Sequence, residues 1–192
     1  MKIDPSVVAF DIDGVVADTM RLFLHIAKSE FFIESIRYED IIDYDLRKCL
    51  DIRDDVMMEI IVKIMSGDYT MPLRPMADAP RVLNVLNSHY RPTLFVTARP
   101  EKSFITQWLC ENIGVPSSEI EVVATGSFEG KTEILKERNV HCFVEDRLET
   151  CFLLAEAGVT PIVFRQPWNR KPHPFREVSS WREIESLLHM NG

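Results

Sequence analysis

Five short apolar runs punctuate the chain: Ser6–Ile12 (SVVAFDI), Thr93–Thr97 (TLFVT), Ile120–Ala124 (IEVVA), His141–Glu145 (HCFVE) and Pro161–Phe164 (PIVF). Runs this short and rich in β-branched residues predict strands buried on both faces. Between them, apolar residues recur every three or four positions. Glu101–Asn112 places Phe104, Ile105, Trp108 and Leu109 at that spacing, and Lys131–Arg138 does so with Ile134 and Leu135. Leu148–Ala157 is stopped by Gly158, and Ser180–Met190 puts Trp181, Ile184, Leu187 and Leu188 on one face. These stretches predict helices. Buried strands alternating with helices imply parallel βαβ units, an α/β fold of Rossmann-like type. Such sheets bind ligands beyond the carboxyl ends of their strands.

One segment breaks the alternation. Between Asp18 and Ala79 no strand pattern appears, and helical spacing recurs at Thr19–Phe32, Tyr38–Leu50 and Asp54–Met65. Pro72, Pro75 and Pro80 then space a connector. The chain therefore divides into a core, residues 1–17 and 80–192, and a helical insertion, residues 18–79. Gln166–Phe175 (QPWNRKPHPF) reads as an irregular, basic, proline-rich loop.

Composition narrows the function. The 192 residues are 46% hydrophobic and 27% charged, a globular profile, with a net charge of −8. That charge argues against a nucleic-acid polymer as partner, since gripping its backbone takes excess positive charge. The four cysteines form no CxxC pair and no zinc spacing with histidine, which fits free thiols in a reducing cytoplasm. The N-terminal apolar run Val7–Phe10 is too short for a signal peptide, and no stretch is long enough to span a membrane.

The strand ends carry the chemistry. The first leads into Asp11-Ile12-Asp13-Gly14 and the second into Thr97-Ala98-Arg99. Lys131 opens the helix after the third, and the fourth runs into Glu145-Asp146. Carboxylates gathered in one crevice repel unless a cation sits among them, and oxygen ligands without His or Cys favour Mg²⁺. A hydroxyl, backbone N–H groups and a lysine suit phosphoryl oxygens. The set fits phosphoryl transfer to or from a small phosphorylated metabolite or nucleotide.

The four motifs, DIDGV, Thr97 in LFVTARP, Lys131 in EGKTEI and Glu145-Asp146 in CFVEDR, resemble in order and spacing those of the haloacid dehalogenase superfamily. The resemblance implies a parallel sheet of order 5-4-1-2-3 and a small helical C1 cap, the 18–79 insertion. It implies a Mg²⁺-dependent phosphomonoester hydrolase with Asp11 as nucleophile, through an aspartyl-phosphate, and Asp13 as acid/base. It places Thr97, Ala98 and Lys131 on phosphate. The metal falls to Asp11, the backbone carbonyl of Asp13 and Asp146, with Glu145 acting through water or orienting Lys131. Arg99 is a candidate for substrate contact or for pairing with an acid.

The small cap, VTARP, VEDR and FRQPWNR look most like the 5′(3′)-deoxyribonucleotidase-like group. Thr19 departs from it, standing where that group tends to carry an aromatic able to stack on a base. A sugar-phosphate or other small-metabolite phosphatase, a phosphomutase, and a non-catalytic phosphate-binding regulator are the alternatives, and a homodimer is compatible with the sequence. Phe31, Phe32, Tyr38 and Tyr44 read first as filling of the insertion, as do Met57, Met58, Met65 and Met71. Trp168 and Arg170 are candidates for the rim of the site.

Overall fold

The computed structural model describes residues 2–189. At the N-terminus Asp4 caps a 3-10 turn over Pro5–Val7, its carboxylate accepting from the Ser6 amide at 2.9 Å. The predicted first strand is thereby shortened to β1, Val8–Phe10. β2 (Thr93–Thr97), β3 (Ile120–Ala124), β4 (Cys142–Glu145) and β5 (Thr160–Phe164) follow at or within a residue of the predicted runs. All pair in parallel, in the order β3-β2-β1-β4-β5-β6. The expected five-strand order holds. The sixth strand, β6 (Arg176–Val178), lengthens the β5 edge; with two of its three residues exposed, it carries no apolar run to announce it.

Residue alternation along β1 sorts its neighbours onto two faces. Phe10 faces Phe95 and Trp181, while Ala9 joins Leu94, Val96, Phe143 and Leu154 on the other. Helices cover both: α3 (Ala79–His89), α4 (Ser103–Ile113), α5 (Gly130–Glu137), α6 (Leu148–Glu156) and α7 (Trp181–Leu187). α3 starts at the end of the proline-spaced connector and runs on through residues for which no helix was expected; Pro80 stands in its first turn, where a missing N–H costs nothing, and Val82, Leu83 and Leu86 are buried. α7 ends at Leu187, three residues short of the predicted Met190, which lies outside the described residues.

Between β1 and α3 the segment is helical, as expected, but differently built. α1 (Thr19–Phe31) and α2 (Asp54–Ser66) match the periodic stretches and pack together. The helix expected over Tyr38–Leu50 is absent; two 3-10 turns, Tyr38–Asp40 and Leu46–Lys48, stand there instead. The reason is local. Asp40, Asp43 and Asp45 turn their carboxylates onto the amides of Arg37 (2.9 Å), Asp45 (3.0 Å) and Arg47 (3.4 Å), bonds that compete with a helix. The segment's entry and exit are tied together: the Asp18 amide donates to the Arg74 carbonyl (2.8 Å) and the Met76 amide to the Val16 carbonyl (2.7 Å). One apolar cluster runs from Phe10 through Val16 and Phe23 to Ile60, so the insertion and the sheet share a core.

Trp181 anchors that core. Its ring lies 5.2 Å from Phe10, and its indole N–H donates to the Val15 carbonyl at 2.8 Å, pinning the loop after β1. Trp181→Ala is expected to cost about 3–5 kcal/mol. Urea unfolding monitored by circular dichroism checks this, and a loss under about 1 kcal/mol would show that the ring is not the anchor.

Candidate functional site

The site begins where β1 stops. The Asp11 amide still pairs with β4, donating to the Val144 carbonyl at 2.9 Å. The chain then turns sharply: the Ile12 carbonyl accepts from the amides of Val15, Val16 and Ala17, and Gly14 takes φ +78°. Only glycine fits there. A Cβ would collide with the Asp146 carboxylate and meet the Trp168 ring at 3.2 Å, besides being strained in that backbone region. This turn presents Asp11 and Asp13 to one cavity of about 530 Å³, between the strand ends and the helical segment. Thr97, Ala98, Arg99, Lys131 and Asp146 line it as well, so residues from four strand ends converge as the sequence suggested.

Lys131 is fully buried and sits between two carboxylates, 2.8 Å from Asp11 Oδ1 and 2.8 Å from Glu145 Oε2. Burial alone would lower its pKa, but the two carboxylates more than offset this and raise it. The other oxygen of Glu145 accepts from the amides of Asp146 and Arg147, each at 3.0 Å, so Glu145 orients the lysine and shapes the loop after β4.

Asp11, Glu145 and Asp146 bring carboxylate oxygens within 4.8 Å of one another. Burial, more than the partly offsetting Lys131, pushes Asp11 up to about 7. Burial and then the charges of Glu145 and Asp11 raise Asp146 well above the carboxylate range. Asp146 Oδ2 accepts the Trp168 indole N–H at 2.9 Å, whereas its buried Oδ1 has no partner among the described residues. A buried orphan oxygen among crowded carboxylates suits a hard cation.

Asp13 is held differently. Burial pushes its pKa up, but Arg99 and Thr19 bring it below the usual range. Arg99 grips it with two bonds, Nε to Oδ2 at 2.9 Å and Nη2 to Oδ1 at 2.7 Å, and Thr19 donates to Oδ1 at 2.6 Å. Arg99 thus pairs with an acid, the second of its two expected roles. Its Nη1 reaches the Ile64 carbonyl of α2 at 3.4 Å. Thr97 is buried, and its hydroxyl accepts the Arg99 amide at 3.2 Å.

A family model described as "5' nucleotidase, deoxy (Pyrimidine), cytosolic type C protein" matches residues 5–191. The chain belongs to that family. Two bacterial relatives, each named "Putative nucleotidase", are 26% identical. The one from Halalkalibacterium halodurans aligns over 93% of this chain and 90% of its own. The one from Bacillus subtilis aligns over 94% and 92%. A Had-superfamily hydrolase from Ehrlichia chaffeensis superposes with TM-score 0.56 at 14% identity, covering 97% of this chain and 96% of that one. CbbY from Rhodobacter sphaeroides does so with TM-score 0.55 at 15% identity, covering 93% and 96%. These structures share the fold. The protein is a phosphatase of the haloacid dehalogenase type.

Several features of this phosphatase escaped the sequence. Trp168, read only as a rim candidate, is buried and hydrogen-bonded to Asp146; the proline-rich loop after β5 gave the sole hint. Asn169 braces the same loop, donating to the carbonyls of Asp146 and Phe164 at 2.8 Å each. Arg170, its neighbour, turns outward to Glu177 at 3.1 Å. Tyr44 lines the cavity with its ring against Phe128, 5.6 Å between centroids. Burial, then the charges of Asp146, Asp11, Glu145 and Asp13, raise its pKa. Tyr38 ties the helical segment to the core, donating to Gln166 Oε1 at 2.8 Å, while Phe32 is 86% exposed.

Gly14→Ala is expected to fold but to displace Asp146, lowering kcat by about a hundredfold, as an ångström-scale misplacement does. Circular dichroism and steady-state assays check this, and wild-type kcat would refute it. A second expectation concerns pH in the absence of divalent cations. In the unfolded chain Asp11 releases its proton near 3.8, whereas in the folded protein it keeps it to about 7. Between those values the native state binds more protons, so this group makes stability fall as pH rises. Asp146 acts in the same direction. Thermal melts from pH 4.5 to 7.5 in chelator are expected to show this fall, and a flat or rising profile would contradict it.

Proposed function

We propose that this phosphatase cleaves nucleoside monophosphates through an aspartyl-phosphate on Asp11, beneath residues 18–79 acting as a cap. The carrying observation is that Asp11, paired with Lys131 at 2.8 Å, opens into the same cavity as Asp13, Thr97 and Asp146. An Asp11 oxygen attacks phosphorus as the bond to the leaving oxygen breaks, and Asp13 in protonated form gives that oxygen its proton. Water then attacks phosphorus, its proton passing to the Asp13 carboxylate, and Asp11 is released with inorganic phosphate. The Arg99–Thr19 clasp holds Asp13 in its carboxylate form, the form that accepts the water proton. To serve as acid it takes a proton and leaves Arg99. Thr97, the Ala98 amide and Lys131 receive the phosphoryl oxygens.

Mg²⁺ suits the oxygen-only cluster and would be held by Asp11, the Asp13 backbone carbonyl and Asp146, with Glu145 behind Lys131. When bound it neutralises charge on the carboxylates and on phosphate. The nucleotide branch rests on the family match and on the two relatives' names. A cytoplasmic location agrees with the family description and the free cysteines; no helix among the described residues is long and apolar enough to cross a membrane.

Asp11→Asn is expected to reduce activity to background, and chelation to abolish it until Mg²⁺ is restored. Acid quenching during turnover should trap phosphate on Asp11. Robust turnover by Asp11→Asn would sink the nucleophile assignment, and inertness toward every nucleoside monophosphate would overturn the nucleotide branch.

A further inference from the structure

The cavity is lined by two unlike sets of residues. One is the strand-end group of Asp11, Asp13, Thr97, Lys131 and Asp146, which takes the phosphate. A leaving group beyond it meets the other set: Met20 and Phe23 of α1, Met57, Ile61 and Met65 of α2, and Phe128 of the core. These side chains offer carbon and sulfur but no hydrogen-bond donor. Tyr44 adds one hydroxyl to the lining, and most other polar groups nearby are committed elsewhere. The Thr19 hydroxyl donates to Asp13, and the Trp168 N–H to Asp146. Arg99 is spent on Asp13 and Ile64. At the rim, Arg47 donates to both oxygens of Asp45, at 2.8 and 3.1 Å, with Asp54 close enough to add its charge.

A leaving group rich in hydroxyls would lose water there and find few partners. Each hydroxyl so stranded costs about five- to hundredfold in transition-state binding. An aromatic or alkyl alcohol loses nothing comparable, and it gains contact with a wall that can reshape. Methionines are unbranched and polarizable, and they adapt to varied apolar shapes. The volume, about 530 Å³, leaves room for a ring beside the phosphate.

The geometry points to a substrate class defined by this wall: phosphate monoesters of aromatic or otherwise apolar alcohols, with polyol phosphates rejected, whether or not a nucleobase is present. The inference rests on the reading of this cavity as the phosphatase site, and it goes beyond the nucleotide branch. It also counts against the sugar-phosphate alternative.

The test compares kcat/KM with Mg²⁺ for benzyl phosphate and hexyl phosphate against the terminal phosphates of glycerol and sorbitol. All four are esters of primary alcohols, so leaving-group acidity is nearly constant and the wall is what differs. The apolar esters are expected to lead glycerol phosphate by about tenfold or more, and sorbitol phosphate by a wider margin. Equal values, or a lead for either polyol, would overturn the inference. Thymidine 5′-phosphate is assayed alongside: if it is inert while benzyl phosphate turns over, the nucleotide branch fails and this inference stands.

Met57→Gln and Met65→Gln add a donor and an acceptor to the cavity lining at nearly constant shape. They are expected to shift the benzyl-to-glycerol ratio several-fold toward the polyol. A ratio of kcat/KM values does not depend on the fraction of enzyme folded, so misfolding cannot mimic the shift; an unchanged ratio in both variants would overturn the role given to the wall. Benzylphosphonate, which cannot be hydrolysed at its P–C bond, is titrated by calorimetry as a reading independent of turnover. Binding with a negative heat-capacity change supports apolar burial. No binding, with no turnover of either apolar ester, would overturn it.

Discussion

Everything in the site is arranged around one buried ammonium. Lys131 bridges Asp11 and Glu145 at 2.8 Å each, in a region that also encloses Asp146. Three carboxylates and one ammonium leave the cluster short of positive charge. Removing unpaired charge from water is expensive, and the raised pKa values of Asp11 and Asp146 record that expense. Protons can meet the shortfall, and so can a cation. The orphan Oδ1 of Asp146 is the atom that exposes it.

The rest of the fold makes this concentration tolerable. β1 is the central strand, and the turn after it delivers Asp11 and Asp13 without a side chain at Gly14 to obstruct Asp146. Trp181 clamps the turn from behind, through the Val15 carbonyl, and Trp168 holds Asp146 from the side. Asp13 has its own cation, Arg99. Two adjacent acids thereby acquire opposite electrostatic settings: Asp11 is raised and Asp13 lowered.

The helical segment is tied to this core at several points. Tyr38 reaches Gln166, Lys171 reaches Asp43 at 3.0 Å, and Arg99 reaches the last turn of α2 at Ile64. The last contact satisfies a helix-terminal carbonyl that has no partner within its own helix. The residue holding Asp13 therefore also touches α2, whose Met57, Ile61 and Met65 line the same cavity.

Much of this could be read from the chain alone. The convergence of Asp11, Asp13, Thr97, Lys131 and Asp146 follows from motifs at the carboxyl ends of parallel strands and from their family resemblance, whereas β2 to β5, helices α4 to α7 and the helical interruption follow from local periodicity. These are properties of short stretches, and hydrophobic spacing reports them directly. Where short-range competition was finer, the reading failed: aspartate side chains broke the helix expected over Tyr38–Leu50, and polar β6 passed for loop. What only the tertiary structure decided lies between segments distant in sequence. Arg99 meets Asp13 across 86 positions and Trp168 meets Asp146 across 22, while methionines of two helices come to line the same cavity as Asp11 and Asp13. No local pattern encodes which distant side chain will take a hydrogen bond or face a cavity, because that depends on how the whole core closes.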